Sequence, residues 1–123
     1  MPDDLELSRE DRHRLEHMRQ AARDALEIVG TRGLEDLRSD MIRSRALVNC
    51  FVEIGEAAAR TTDEARAIAS EVPWRQIVGM RHNLVHVYWG IDVEELLKTV
   101  RTDLPGFIAA IDRVLRHDAP KSE

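Results

Sequence analysis

Arg81, His82 and His86 stand within six positions of one another, in the stretch Pro73-Trp-Arg-Gln-Ile-Val-Gly-Met-Arg-His-Asn-Leu-Val-His-Val-Tyr-Trp-Gly90. On a helix, Trp74, Ile77, Val78, Leu84, Val85 and Tyr88 define an apolar face, and Arg81 falls in its middle. A guanidinium there needs a carboxylate or a phosphate, because desolvating it alone costs several kcal/mol. Glu53 and Glu56, in the otherwise apolar Phe51-Val-Glu-Ile-Gly-Glu-Ala57 run, are the internal candidates. A buried Arg–Glu pair that only fixes packing and an Arg reserved for phosphate stay equally open on these residues.

His82 and His86 are four apart and share a helix face, roughly 100–140° away from Arg81. Within one regular helix, Arg81 and His86 therefore cannot converge on one phosphate; fraying before Gly90 or a second subunit could bring them together. A His pair at this spacing can bind zinc or nickel, but no Cys and no acid on that stripe supplies a third ligand. His13 and His17 repeat the spacing on a highly charged helix with nothing else around them. No metal site is expected.

Cleavage of an RNA phosphodiester by its own 2′-hydroxyl fits these residue types without a metal or cofactor. It needs a base for that hydroxyl, an acid for the departing 5′-oxygen and a cation for the phosphorane. Histidine can take either proton-transfer role and Arg grips two phosphate oxygens. Nucleophilic hydrolysis has no support: there is no G-x-S-x-G, and Cys50 lies on an expected core helix. No glycine-rich phosphate loop is present either, since Gly30-Thr-Arg-Gly33 reads as a helix break.

The elements that must hold these residues are helical nearly throughout. Ser8, with Asp11 three residues on, is a candidate N-cap for a helix whose stripe is Leu15, Met18, Ala22, Ala25 and Val29, stopped by Gly30 and Gly33. Leu34, Leu37, Met41, Ser44, Val48, Phe51, Gly55 and Ala58 then step by three and four, predicting one helix of about 25 residues. Thr61-Thr62-Asp63 restarts the chain, and residues 64–70 read as a short, mostly polar helix or a connector. Pro73 opens a helix from Trp74 to about Tyr88 that Gly90 ends. Val93, Leu97, Val100, Leu104, Phe107, Ile111 and Val114 form a last seam, kinked at Pro105. No run alternates with period two, so the expected fold is all-α, an antiparallel bundle of four to five helices. The chain reads as a single domain over 1–123, with 1–7 and 117–123 as flexible termini. The two long seams are broad enough to bury a partner helix, and a homodimer is expected.

Composition narrows the function classes. The 123 residues are 43% hydrophobic and 33% charged, with net charge −5, which argues against a surface coated in basic groups for nucleic acid. Residues 1–40 carry seven basic and eleven acidic groups, 92–123 five and seven, and only 41–91, with six and five, are not acidic. The single Cys50 permits no internal disulfide, no apolar run reaches membrane-spanning length, and Met1-Pro-Asp-Asp4 lacks the order of a signal peptide. A cytoplasmic protein is expected, with no membrane or DNA partner.

Arg81-His-Asn-Leu-Val-His86-Val-Tyr88 resembles the R-x-x-x-x-H-x-Y motif of HepT-like ribonucleases, the HEPN-domain toxins of HEPN/MNT toxin–antitoxin pairs. Ile54-Gly-Glu-Ala57, Val72-Pro-Trp74, Gly79-Met-Arg81, Tyr88-Trp-Gly-Ile-Asp92 and Leu104-Pro105 add to the likeness, which runs from about Arg43 to Leu115. The resemblance implies a helical HEPN bundle that dimerises so that two motifs meet in one cleft. It implies metal-independent endoribonuclease activity on tRNA or mRNA, with Arg81 and His86 as the catalytic pair. His82, where these toxins commonly carry Asn, and Asn83 are auxiliary candidates. Tyr88 corresponds to the tyrosine to which the partner nucleotidyltransferase antitoxin adds AMP, blocking RNA by charge and bulk. The competing class is a non-catalytic helical module that binds a nucleotide or a protein, with Arg81 structural.

Overall fold

A computed structural model describes residues 6–86 and 92–118, with the backbone alone over 81–86. Seven helices follow one another: α1 (Arg9–Val29), α2 (Leu34–Arg38), α3 (Met41–Arg60), α4 (Asp63–Ile68), α5 (Trp74–His86), α6 (Val93–Thr102) and α7 (Leu104–Asp118). The described residues are all-α, as expected, but the helices number more than four or five.

The first helix starts and stops where its residues dictate. The Ser8 hydroxyl accepts the Asp11 amide at 3.1 Å and caps α1. Gly30 ends it at φ +52°, a conformation that favours glycine, and its N–H donates to the Leu26 carbonyl. Leu15, Met18, Ala22, Ala25 and Val29 are buried along one stripe.

The expected 25-residue second helix is two helices, and this corrects the sequence reading. Asp40 leaves the helical conformation and its carboxylate accepts the Arg43 amide, so it caps a new helix. The Ser44 hydroxyl donates back to the Leu37 carbonyl at 2.5 Å and so ties the new helix to the end of α2; the same carbonyl also accepts the Asp40 amide at 3.2 Å. Met41, placed on the seam by spacing, is 64% exposed, and Ile42 is 84% exposed. A run of threes and fours cannot register a cap in its middle.

The last seam is also two helices. Asp103 closes α6 and its carbonyl accepts the Phe107 amide, so Pro105 lies in the first turn of α7, where its missing N–H costs nothing. The expected kink is a clean restart.

The core runs between α1, α2, α3, α5, α6 and α7, with Phe51, Leu15, Met18, Leu37, Leu47, Ile54 and Ile111 fully buried. α3 lies at the centre, packed most extensively on α1 and next on α5. Asp11, 3% exposed, locks the start of α1 to the α3–α4 turn: its carboxylate accepts the Thr62 hydroxyl at 2.6 Å and the Thr62 amide at 3.1 Å. Burial pushes this carboxyl up, but the bonds from Thr62, Arg14 and Ser8 outweigh it and leave it below the ordinary carboxylate range. At the inner edges of the two terminal segments, the Leu7 amide donates to the Asp118 carboxylate at 3.0 Å.

Candidate active site

α5 carries the motif, and its entry is fixed by an anchor around Trp74. Trp74 is buried as the first helical residue, and its indole N–H donates to the Ala69 carbonyl at 3.0 Å. The Arg66 guanidinium stacks over that ring at 5.5 Å and donates to the Ala58 carbonyl at the end of α3. Ile77 is buried and Val78 half-buried, so the part of the predicted apolar face within the described side chains faces the core.

The helix continues without interruption to His86. Positions 81 and 86 therefore lie roughly 140° apart around its axis, and positions 82 and 86 within about 40°. The fraying that would let one helix aim Arg81 and His86 together does not occur before His86. The side chains of Arg81, His82, Asn83 and His86 lie outside the described residues, as does Tyr88 altogether.

Of the two acids offered as partners for Arg81, Glu53 has other commitments. One carboxylate oxygen lies 2.9 Å from His17 Nε2 and the other accepts the Asn49 amide. Glu56 lies on the same face of α3, half-buried and engaged. His17 thus has the surroundings that its sequence context did not reveal. His13 and His17 line a groove of about 460 Å³ between α1 and α3, together with Arg9, Arg60, Glu53 and Glu56. Nothing in the sequence could align these helices: each presents one polar stripe, but their relative register is a tertiary property.

Cys50 is buried on α3, and burial, with Asp24 and Glu53 nearby, pushes its thiol up to about 11. It is an inert core residue, as its place on a core helix predicted. No helix among the described residues is long and apolar enough to cross a membrane.

A family model described as Ribonuclease HepT-like matches residues 18–114, which takes in α3, α5 and the whole Arg81–Tyr88 motif. The chain belongs to the HepT-like ribonuclease family. A relative from Caldanaerobacter subterraneus subsp. tengcongensis, named as a candidate RNase, is 32% identical over 104 residues, covering 85% of this chain and 93% of its own. Another, from Thermococcus cleftensis and named Probable ribonuclease HepT, is 32% identical over 80 residues, 65% of this chain and 73% of its own. A third, from Methanocaldococcus jannaschii and also named as a candidate RNase, is 30% identical over 86 residues, 70% of this chain and 79% of its own. No solved structure matches the chain.

Proposed function

We propose that this HepT-like chain is the ribonuclease toxin of a HEPN/MNT toxin–antitoxin pair, cleaving tRNA or mRNA without a metal. The observation that carries this reading is the family match across residues 18–114, which contains Arg81, His86 and Tyr88 in the order and spacing of the motif. The names of the relatives, as RNases or as HepT, support it.

The chemistry follows from the residue types. A histidine at 86 takes the proton of the 2′-hydroxyl or gives one to the departing 5′-oxygen. As the 2′-oxygen bonds to phosphorus and the P–O5′ bond breaks, charge builds on the equatorial oxygens, where the planar fork of Arg81 binds two of them. The products are a 2′,3′-cyclic phosphate and a 5′-hydroxyl. Because α5 is regular between Trp74 and His86, Arg81 and His86 of one copy diverge. A symmetric homodimer that sets two α5 helices face to face lets Arg81 of one copy act with His86 of the other. His82 and Asn83 flank this pair as auxiliary groups.

Control follows from Tyr88. Seven residues after Arg81, it returns to the same stripe within about 20° on a continuing helix. An MNT-type nucleotidyltransferase partner that attaches AMP to its hydroxyl would place phosphate beside the guanidinium and exclude RNA.

The test is the purified chain, in excess chelator, on an RNA and on its 2′-deoxy analogue. Cleavage of the RNA alone, leaving a cyclic phosphate, is expected. Cleavage of the deoxy strand, or loss of cleavage with chelator, would overturn the mechanism.

A further inference from the structure

α5 has a short footing on the rest of the bundle. It packs chiefly on α3, and of its described side chains only Trp74 and Ile77 are buried, with Val78 and Met80 partly so. Such a footing does little to stop a helix rolling about its axis unless the first contact is itself held. Trp74 is held by α4, a helix of six residues that is too short to persist alone.

Arg66 touches both of the helices that α4 joins. Its Nη2 donates to the Ala58 carbonyl at 2.9 Å, within the last turn of α3, whose free carbonyls carry the negative end of the helix dipole. The same guanidinium lies over the Trp74 ring at 5.5 Å, while the indole N–H is tied to the Ala69 carbonyl. The ring is thus gripped on a face and at an edge. The arginine Nε is buried with no hydrogen-bond partner among the described residues. Desolvating that donor is a cost that a methionine of similar reach would not carry. What arginine supplies in return is one rigid plane that stacks and donates together.

The clamp reaches the motif through the regularity of α5. Position 81 follows Trp74 by seven residues and returns to within about 20° of its stripe, and the helix is unbroken through His86. A roll of α5 at Trp74 therefore turns positions 81 and 86 by the same angle. For groups roughly 6 Å from the axis, a roll of about 10° is a displacement of about 1 Å, enough to slow a reaction by up to about a hundredfold.

We infer that Arg66 is a positioning residue for RNA cleavage: by clamping Trp74 to the end of α3 it fixes the roll of α5, and with it the placement of Arg81 and His86. The inference rests on the ribonuclease reading. Arg66 acts through Trp74 and does not touch the substrate.

The experiment is steady-state cleavage of a single-stranded RNA by wild type, Arg66→Met, Arg66→Lys and Leu115→Ala, each well below its own melting temperature. Arg66→Met fills the same space without the stack or the carbonyl bond. Leu115→Ala is a lesion of the buried core in α7, which packs chiefly on α1 and α6, and it should lower the melting temperature at least as far. Arg66→Met should lower kcat by about tenfold or more with KM within about twofold of wild type; Arg66→Lys, which keeps the charge but not the plane, should lower it by a smaller factor. Leu115→Ala should keep kcat within about twofold. Wild-type kcat in both Arg66 variants would overturn the inference, and so would an equal loss of kcat in Leu115→Ala, which would make Arg66 one more contact of the fold. A rise in KM at constant kcat would overturn it as well, since Arg66 would then meet the substrate directly. So would an Arg66 variant that turns monomeric by light scattering. If Arg66→Met is unfolded by circular dichroism, Arg66→Lys decides alone. Wild type inactive on every RNA would sink the ribonuclease reading and the inference with it.

Discussion

His17 Nε2 lies 2.9 Å from a carboxylate oxygen of Glu53, joining α1 to α3 across the groove between them. With the other oxygen held by Asn49, Glu53 is an acid with its bonding in place, and Glu56 becomes the stronger candidate to face Arg81. Glu56→Gln should therefore reduce RNA cleavage more than Glu53→Gln, whose half-exposed contact with His17 contributes less than about 1 kcal/mol to stability. Cleavage rates and melting temperatures of the two variants decide it; a larger loss in Glu53→Gln would reverse the assignment.

Arg81→Lys keeps the charge but gives up the planar fork. It should lower cleavage by about a hundredfold or more while leaving stability within about 1 kcal/mol of wild type. Equal losses of folding and activity, read by chemical denaturation beside a cleavage assay, would favour the Arg–Glu pair that only fixes packing.

The Asp11–Thr62 lock gives the fold an acid-sensitive joint. Its carboxyl is held below the ordinary value of 3.8, so its stabilisation is present in full above that value and is lost as pH falls through the depressed one. Asp112, held down by the hydrogen bond from Arg19, acts in the same direction. Asp11→Asn should cost about 2–3 kcal/mol at neutral pH, because the Thr62 amide and hydroxyl lose charged acceptors in a buried site. Melting curves from pH 7 to 2.5 should show the wild type losing stability below about pH 4 and the variant losing less over that window. Parallel acid limbs would place the acid sensitivity elsewhere.

How far the sequence carried depends on which signal each element left. Ser8, Gly30 and Pro73 mark helix ends by their own chemistry, and those ends stand where spacing put them. Asp40 and Asp103 were hidden because apolar residues kept stepping by three and four through both breaks; the cap lies between seams that happen to stay in phase. Arg81 and His86 stand out as candidates for chemistry because their residue types are out of place or titratable on an apolar helix. The companionship of His17 with Glu53 was not, since it depends on how α1 slides along α3, which local sequence does not encode.

Tyr88→Phe removes the acceptor oxygen and keeps the ring, so under the proposed function it should leave RNA cleavage largely intact and make the chain resistant to the proposed nucleotidyltransferase partner. Intact-mass measurement after co-expression reads this directly. AMP-sized additions should appear on the wild type and vanish in the variant; their persistence would place the acceptor on another residue.

The shared cleft is tested most directly by mixing two dead proteins. Arg81→Lys and His86→Ala, each inactive alone, are unfolded and refolded together so that mixed dimers form. If Arg81 of one copy acts with His86 of the other, every mixed dimer has one complete site, and random pairing should restore about a quarter of wild-type cleavage. A mixture as inactive as its parents, with mixed dimers demonstrated by mass, would mean that each site is built within one chain and would contradict the account.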